Sequence, residues 1–156
     1  MRRDRSAAGR LGILGGCAPA SLVAGPSVAE SAALIPPIPA GLARVWFLRQ
    51  FEPSESLFTP MFFVYGAALG SSLPGTAFYR DVVPGTYTFS VETCTVDTNQ
   101  AATLGVAAGW QTDLEVQSLS ACHSFGCLTP DTFYVRVIPP AQAQLYDPQL
   151  TYLGAR

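Results

Sequence analysis

The sequence predicts an all-β fold: an antiparallel β-sandwich of immunoglobulin-like size, with seven or eight short strands behind a flexible N-terminal tether. Short apolar runs recur through residues 43–156, with glycine- and proline-rich turns between them. Several of these runs alternate apolar and polar residues, which is the period of a half-buried strand. No segment has the pattern of a long amphipathic helix. Strands of this number and spacing fit a sandwich, and a small barrel is the alternative.

Eight segments have strand character, and one short segment after two prolines favours a helical turn. The first run is apolar on both faces, which is typical of a central covered strand, and it places Trp46 in the core. Gly66 and Gly70 are expected as turn residues. The last run is expected to be an edge strand. In chain order the predicted strands are 43–50, 60–65, 76–82, 86–92, 104–108, 112–119, 132–138 and 149–153, with the helical turn at 141–145.

Strand alternation also predicts which side chains face the core and which face solvent. On the strand at 112–119, Asp113 and Glu115 fall on the polar face, and we expect both to be solvated rather than paired for chemistry. Trp110 follows a glycine at a turn, so it is the better of the two tryptophans as an exposed ligand-stacking candidate. One core is predicted to contain Tyr87, Phe89, Val91, Leu114, Val116, Phe133, Val135 and Val137.

Composition and charge exclude some classes of protein. Apolar residues make up 49% of the chain and charged residues 13%, against about 25% charged in an average soluble domain. This composition favours a compact body over disorder. After residue 16, five arginines face ten carboxylates, a net charge of −5. An acidic body argues against a nucleic-acid partner, which requires clustered positive charge.

The first residues have the features of an export signal. Four arginines lie within residues 1–16, followed by a short apolar run. The motif at 14–17, Leu-Gly-Gly-Cys, resembles a bacterial lipobox, and the resemblance implies that Cys17 is lipidated and becomes the first mature residue. Arg10 interrupts the apolar run, which is shorter than usual for a signal. The alternative is an ordinary N-terminus with a chance cysteine. By the same resemblance, Ala18 after the cysteine favours the outer membrane.

The sequence divides into three predicted parts: a signal at 1–16, a lipidated cysteine with a tether at 17–42, and the sandwich domain at 43–156. The tether is rich in alanine, proline, serine and glycine, so we expect it to hold neither helix nor strand ladder. The uncharged stretch 56–79 is long enough to span a membrane. Its prolines, glycines and strand-like clusters argue against a transmembrane helix there.

The remaining cysteines are Cys94, Cys122 and Cys127. An exported protein favours a disulfide, either Cys122–Cys127 or Cys94 with one of these two, and the choice stays open. A metal site including His123 is disfavoured because neighbouring ligands rarely converge on one ion. A Cys–His nucleophile is disfavoured because adjacent strand residues point to opposite faces. We therefore expect no metal, no cofactor and no catalytic residue.

The glycine turns at 63–66 and 69–70, the Pro-Gly turn and strand at 81–89, and the aromatic strand at 133–137 follow one another in an order that resembles PEGA-like domains of small bacterial envelope lipoproteins. The resemblance extends over residues 43–153, although the glutamate and alanine of that family's name motif are absent. It implies a periplasmic accessory domain that is not an enzyme, and it transfers no binding residue.

These observations predict a function class rather than an activity. We expect a non-enzymatic, lipid-anchored interaction or structural module on the periplasmic side of the outer membrane. Its expected partners are the membrane, through the lipid, and an envelope protein. The alternative is a domain that binds a carbohydrate or a peptidoglycan fragment.

Overall fold

The computed structural model describes residues 23–51, 57–93, 97–119 and 131–156. In these ranges, nine strands form two sheets. The strands are β1 (Ala43–Arg49), β2 (Met61–Val64), β3 (Ala67–Ser71), β4 (Thr76–Val82), β5 (Gly85–Val91), β6 (Ala102–Val106), β7 (Gln111–Leu119), β8 (Thr132–Ile138) and β9 (Thr151–Ala155). The helices are α1 (Val28–Ser31), a 3-10 turn at Ala32–Leu34, and α2 (Pro140–Tyr146).

The two sheets pack face to face, which confirms the predicted all-β sandwich. One sheet has the order β8-β7-β1-β4-β9 and the other β3-β2-β5-β6. The first sheet is mixed rather than purely antiparallel, because β1 pairs with β7, and β4 with β9, in parallel. Each parallel pair joins strands separated by several intervening strands, which supply the long crossover that a parallel pair requires.

Strand β1 lies at the centre of the five-stranded sheet and is buried along its whole length, as its two-sided apolar pattern predicts. Alternate side chains therefore enter two different cores. Phe47 faces the other sheet, where its ring centroid lies 5.0 Å from that of Phe62 and 5.6 Å from that of Phe89. It also lies 5.0 Å from the ring centroid of Phe78 on the neighbouring strand β4. Trp46 faces the opposite side and joins the second apolar cluster, so its prediction as a core residue is confirmed.

The predicted core between the sheets is largely confirmed. Tyr87 packs partly buried against it. Val137 is the exception: its side chain is 51% exposed, so its prediction as a core residue is wrong. It lies near the end of β8, an edge strand, where no further strand covers it. The buried members of the predicted set are Phe89, Val91, Leu114, Val116, Phe133 and Val135.

Strand β3 was not predicted from the sequence, because Gly66 and Gly70 were both assigned to turns. Tyr65 and Gly66 form the turn between β2 and β3, with φ angles of 47° and 79°. Two consecutive positive φ values are those of the tight turn that joins hairpin strands. Gly70 instead lies within β3, opposite Phe62. A Cβ added at Gly70 would lie 3.4 Å from the ring of Phe78, at the near edge of ordinary contact, so space alone does not require a glycine there.

Residues 23–42 do not behave as the helix-free tether expected from their composition. Ser27 and Glu30 form a reciprocal capping box that starts α1, and Val28 of that helix is buried. The expectation of no helix was therefore wrong for this part, since capping and burial outweigh the weak helical tendency of a short segment. Residues 18–22 lie outside the described residues.

The other predicted elements are observed with small shifts at their ends. The expected helical turn is α2, which starts at Pro140 as a first helical position allows. The expected last strand is β9, at the edge of its sheet. Residues 57–79 contain β2, β3 and the first part of β4. Within the described ranges, no helix is long and apolar enough to cross a membrane.

Candidate ligand-binding site

The outer face of the five-stranded sheet, the face turned away from the second sheet, is covered rather than exposed. Trp46 and Leu48 of β1 and Tyr79 of β4 form its apolar floor, and the centroids of Trp46 and Tyr79 lie 5.1 Å apart. Val28 of α1 and Ala143 of α2 pack onto this floor from two sides. The helices therefore enclose space above the sheet, which positions a pocket there.

Backbone hydrogen bonds hold the N-terminal segment against this face. The amide of Val28 donates to the carbonyl of Leu150 at 2.9 Å, and the amide of Tyr152 donates to the carbonyl of Pro26 at 2.9 Å. The amide of Ala29 donates to the carbonyl of Asp147 at 3.3 Å, which joins α1 to the end of α2. The segment from residue 23 onward is therefore part of the folded unit.

The space between the helices and the sheet is a pocket of about 380 Å³ that is open to solvent, which we call the outer-face pocket. This volume is at the lower end of the range for small-molecule sites. Its wall is mainly apolar, with three charged side chains, Arg44, Asp113 and Asp147, and two glutamines, Gln111 and Gln144. The apolar lining comprises Val28, Ala29, Ala32, Ile35, Pro36, Pro37, Ile38, Trp46, Leu48, Ala77, Pro140 and Ala143.

Arg44 is buried in the wall of the pocket, and its charge is compensated. Its Nε and Nη2 donate to the two carboxylate oxygens of Asp81 at 2.7 and 2.9 Å, across the β1–β4 pair. Its Nη1 donates to the carbonyl of Pro36 at 2.7 Å, and its guanidinium carbon lies 3.9 Å from the ring centroid of Tyr79. Such a paired, stacked guanidinium is strongly held, so Arg44 fastens the proline-rich segment to the sheet.

Asp113 is a buried carboxylate of the pocket. It is only 3% exposed, so its prediction as a solvated strand position was wrong. Its Oδ1 accepts a hydrogen bond from Nε2 of Gln111 at 3.0 Å, whereas its Oδ2 is buried with no hydrogen-bond partner among the described residues. Burial raises the pKa of Asp113 to about 6, partly opposed by the Gln111 bond and assisted by the charge of Asp147.

Glu115 was expected to be solvated as well, and it is equally buried. Both of its carboxylate oxygens are hydrogen-bonded, Oε1 to Gln50 Nε2 at 2.6 Å and Oε2 to Gln117 Nε2 at 2.8 Å. Glu115 does not line the pocket. The prediction that both carboxylates are solvated was wrong for one reason. Strand alternation shows that they share a face, but only the tertiary structure shows that this face is covered.

Trp110 is 70% exposed, as the sequence predicts. It immediately precedes Gln111 at the start of β7, but it does not line the pocket. The stacking candidate and the pocket are therefore separate features of the surface.

The four cysteines and His123 lie outside the described residues. The structure thus does not test lipidation of Cys17 or a disulfide among Cys94, Cys122 and Cys127, and these stay predictions. Among the described residues, no group of three or more histidine, cysteine or acidic side chains could hold a metal ion.

The sequence analysis did not single out Arg44 or Asp147. A signal for Arg44 was present, because a charged residue in a strand that is apolar on both faces must be buried and needs a partner. For Asp147, at the end of a seven-residue helix, no comparable signal exists in the chain.

Comparison of the chain with family models, curated proteins and solved structures gave no match. The resemblance to PEGA-like domains therefore stays a prediction.

Proposed function

We propose that this protein is a non-enzymatic binding module of the bacterial envelope, anchored by lipid at Cys17, with the outer-face pocket as its ligand site. The observation that carries the proposal is a buried carboxylate in the wall of an apolar pocket, Asp113, one oxygen of which has no hydrogen-bond partner among the described residues. A well-formed apolar pocket with a few polar groups is the usual form of a small-molecule site.

The composition of the pocket suits the binding of a small molecule. Its described lining contains no hydroxyl, thiol or imidazole side chain, and its charged groups are Arg44, Asp113 and Asp147. The apolar wall suits the body of a small ligand, and the charged and amide groups can orient it. Envelope location and the anchor are proposed on the N-terminal sequence, and an envelope protein partner stays a prediction.

The position of the N-terminal segment limits the distance between the folded domain and a lipid anchor at Cys17. The carbonyl of Val23 accepts a hydrogen bond from Oγ1 of Thr151 at 3.0 Å, so the chain is already attached to β9 at residue 23. Five residues lie between Cys17 and Val23, and the six Cα-to-Cα steps that join the two span at most about 22 Å when fully extended. A lipidated Cys17 would therefore hold the domain close to the bilayer surface.

A neutral apolar probe tests the pocket. In the full chain carrying Cys17→Ser, which avoids detergent, 1-hexanol is titrated while the two indole N–H signals are followed by NMR. Trp46 lines the pocket and Trp110 does not, so the Trp46 signal should shift and the Trp110 signal should stay in place. No saturable shift of the Trp46 signal would contradict the proposal.

Two neighbouring alanines provide a matched pair of variants. Ala32 and Ala33 are both exposed in the same 3-10 turn, but only Ala32 lines the pocket. We expect Ala32→Trp to weaken 1-hexanol binding by about tenfold or more by filling the entrance, and Ala33→Trp to leave it unchanged. Equal effects of the two substitutions would show that the probe binds elsewhere.

The second candidate, binding of a carbohydrate or peptidoglycan fragment, is favoured by the exposure of Trp110. Exposed aromatic rings offer an apolar face on which a sugar ring stacks. Titration with a soluble disaccharide–peptide fragment of peptidoglycan should then shift the Trp110 indole signal, and Trp110→Ala should abolish binding. Binding that survives Trp110→Ala would remove Trp110 as the stacking residue.

A further inference from the structure

The charges that face the outer-face pocket do not cancel. Arg44 carries the only positive charge of the described lining, and Asp81 neutralises it through two hydrogen bonds. Asp113 on β7 and Asp147 at the end of α2 contribute two carboxylates to the lining of the pocket. Once the Arg44–Asp81 pair is set aside, the pocket has a net negative charge.

The two carboxylates are partly withdrawn from water, so their field in the pocket is weakly screened. Asp113 is buried and Asp147 is half-buried. Burial raises the pKa of Asp147, and the negative charge of Asp147 contributes to the raised pKa of Asp113. Two carboxylates that interact electrostatically in this way would both attract a cation bound in the pocket that they line.

The hydrogen bonding of Asp113 also favours attraction of a cation to the pocket. Gln111 satisfies one of its oxygens, and Oδ2 has no partner among the described residues. Burial without full hydrogen bonding raises the free energy of an ionised carboxylate. A positive charge nearby lowers that free energy. Oδ2 is itself shielded from water, so the attraction acts as a charge–charge interaction through a water-poor region rather than through bulk solvent.

The rest of the pocket defines the body of the ligand. Its wall is formed by aliphatic and proline side chains of the N-terminal segment on one side and by Pro140 and Ala143 on the other. Trp46 and Leu48 form its floor. A small inorganic cation would leave this apolar wall in contact with water, whereas an aliphatic chain would cover it.

We propose that the outer-face pocket binds a small organic cation, an ammonium group on an apolar body, with its charge near Asp113 and Asp147. This inference rests on the proposed function, because it specifies the ligand class of the same pocket. It assigns recognition to charge complementarity at the carboxylates and to burial of apolar surface along the wall.

Three probes of equal chain length separate charge from apolar contact: hexylammonium, 1-hexanol and hexanoate. Each is titrated into the full chain carrying Cys17→Ser at pH 8, with the Trp46 indole signal as the readout. We expect hexylammonium to bind about tenfold or more tightly than 1-hexanol, and hexanoate to bind more weakly than either. Hexylammonium binding that is equal to or weaker than 1-hexanol binding would overturn the cation inference while leaving the pocket as a binding site. Absence of binding by all three would overturn the proposed function as well.

Carboxylate variants test which groups provide the selectivity. We expect Asp113→Asn to reduce the preference for hexylammonium over 1-hexanol to about threefold or less, because the amide carries no charge. Asp147→Asn should reduce the same preference by a smaller factor, and it provides a second measurement if the Asp113 variant does not fold. Glu115→Gln is the matched control, since Glu115 is equally buried on the same strand but does not line the pocket. A preference that both aspartate variants retain would overturn the inference.

Discussion

Asp113 and Glu115 lie two residues apart on β7 and are each 3% exposed, yet only Glu115 has both carboxylate oxygens hydrogen-bonded by side chains. Residues two apart on a strand share a face, so the two differ in partners and not in orientation. The same strand therefore presents one satisfied and one unsatisfied carboxylate to the covered face of the sheet.

The first prediction concerns the dependence of stability on pH. The pKa of Asp113 is about 6 in the folded protein, against an ordinary value of 3.8. Because the folded state binds this proton more tightly than the unfolded chain, the free energy of unfolding should rise as the pH falls from about 7 to about 4. Above pH 7, Asp113→Asn should be more stable than the wild type by about 1–3 kcal/mol.

Urea unfolding at pH 5 and pH 8 measures this effect. Asp113→Asn should weaken the dependence of the free energy of unfolding on pH. Part of that dependence should remain, because burial also raises the pKa of Asp147. An unchanged difference between the two pH values in Asp113→Asn would show that Asp113 is not the group responsible.

The second prediction concerns the buried ion pair between Arg44 and Asp81. Replacing Asp81 with asparagine leaves a buried guanidinium without its counter-charge, which should lower the free energy of unfolding by about 3 kcal/mol. The double variant Arg44→Met/Asp81→Asn removes the stranded charge, so it should be more stable than Asp81→Asn alone. Chemical unfolding of the single and double variants tests this order, and a double variant that is less stable than Asp81→Asn would refute it.

The third prediction compares two apolar residues that strand alternation assigned to the same core. Phe89 is buried between the sheets, so Phe89→Ala should cost about 3–5 kcal/mol. Val137 is half-exposed at an edge strand, so Val137→Ala should cost less than about 1 kcal/mol. Comparable losses in thermal or urea unfolding would mean that the two sites do not differ in burial as described.

The fourth prediction concerns the anchor. Acyl chains hold a protein at a bilayer through about 0.8 kcal/mol for each buried methylene. Cells that express the wild-type chain should incorporate a fatty-acid probe into it, and Cys17→Ser should abolish labelling and leave the protein soluble or unprocessed. A wild-type chain that incorporates no lipid would rule out the lipobox interpretation.

The fifth prediction concerns Cys94, Cys122 and Cys127. Thiol titration and mass measurement of the unreduced, exported protein should find one free thiol and a mass two hydrogens short. Peptide mapping then identifies the bonded pair. A Cys122–Cys127 bridge closes a short ring, so it should add less than the usual ~2–4 kcal/mol to stability. Three free thiols would contradict the disulfide prediction and favour the metal or nucleophile hypotheses.

Local patterns in the chain were sufficient to predict eight of the nine described strands and most of the core between the sheets. Alternation along β5, β7 and β8 identified Phe89, Leu114 and Phe133, because the side chains of a strand change face at every residue whatever surrounds it. The two-sided apolar run of β1 predicted its central position in the same way.

Tertiary structure alone decided what covers the outer face of the five-stranded sheet. The sequence shows that Asp113 and Glu115 share a face, but burial of that face depends on packing of α1, the proline-rich segment and α2 over it. These contacts join residues far apart in the chain, such as Val28 with Leu150 and Arg44 with Asp81. Periodicity carries information about a residue's direction within its own strand, whereas the pocket depends on which distant segment meets that strand.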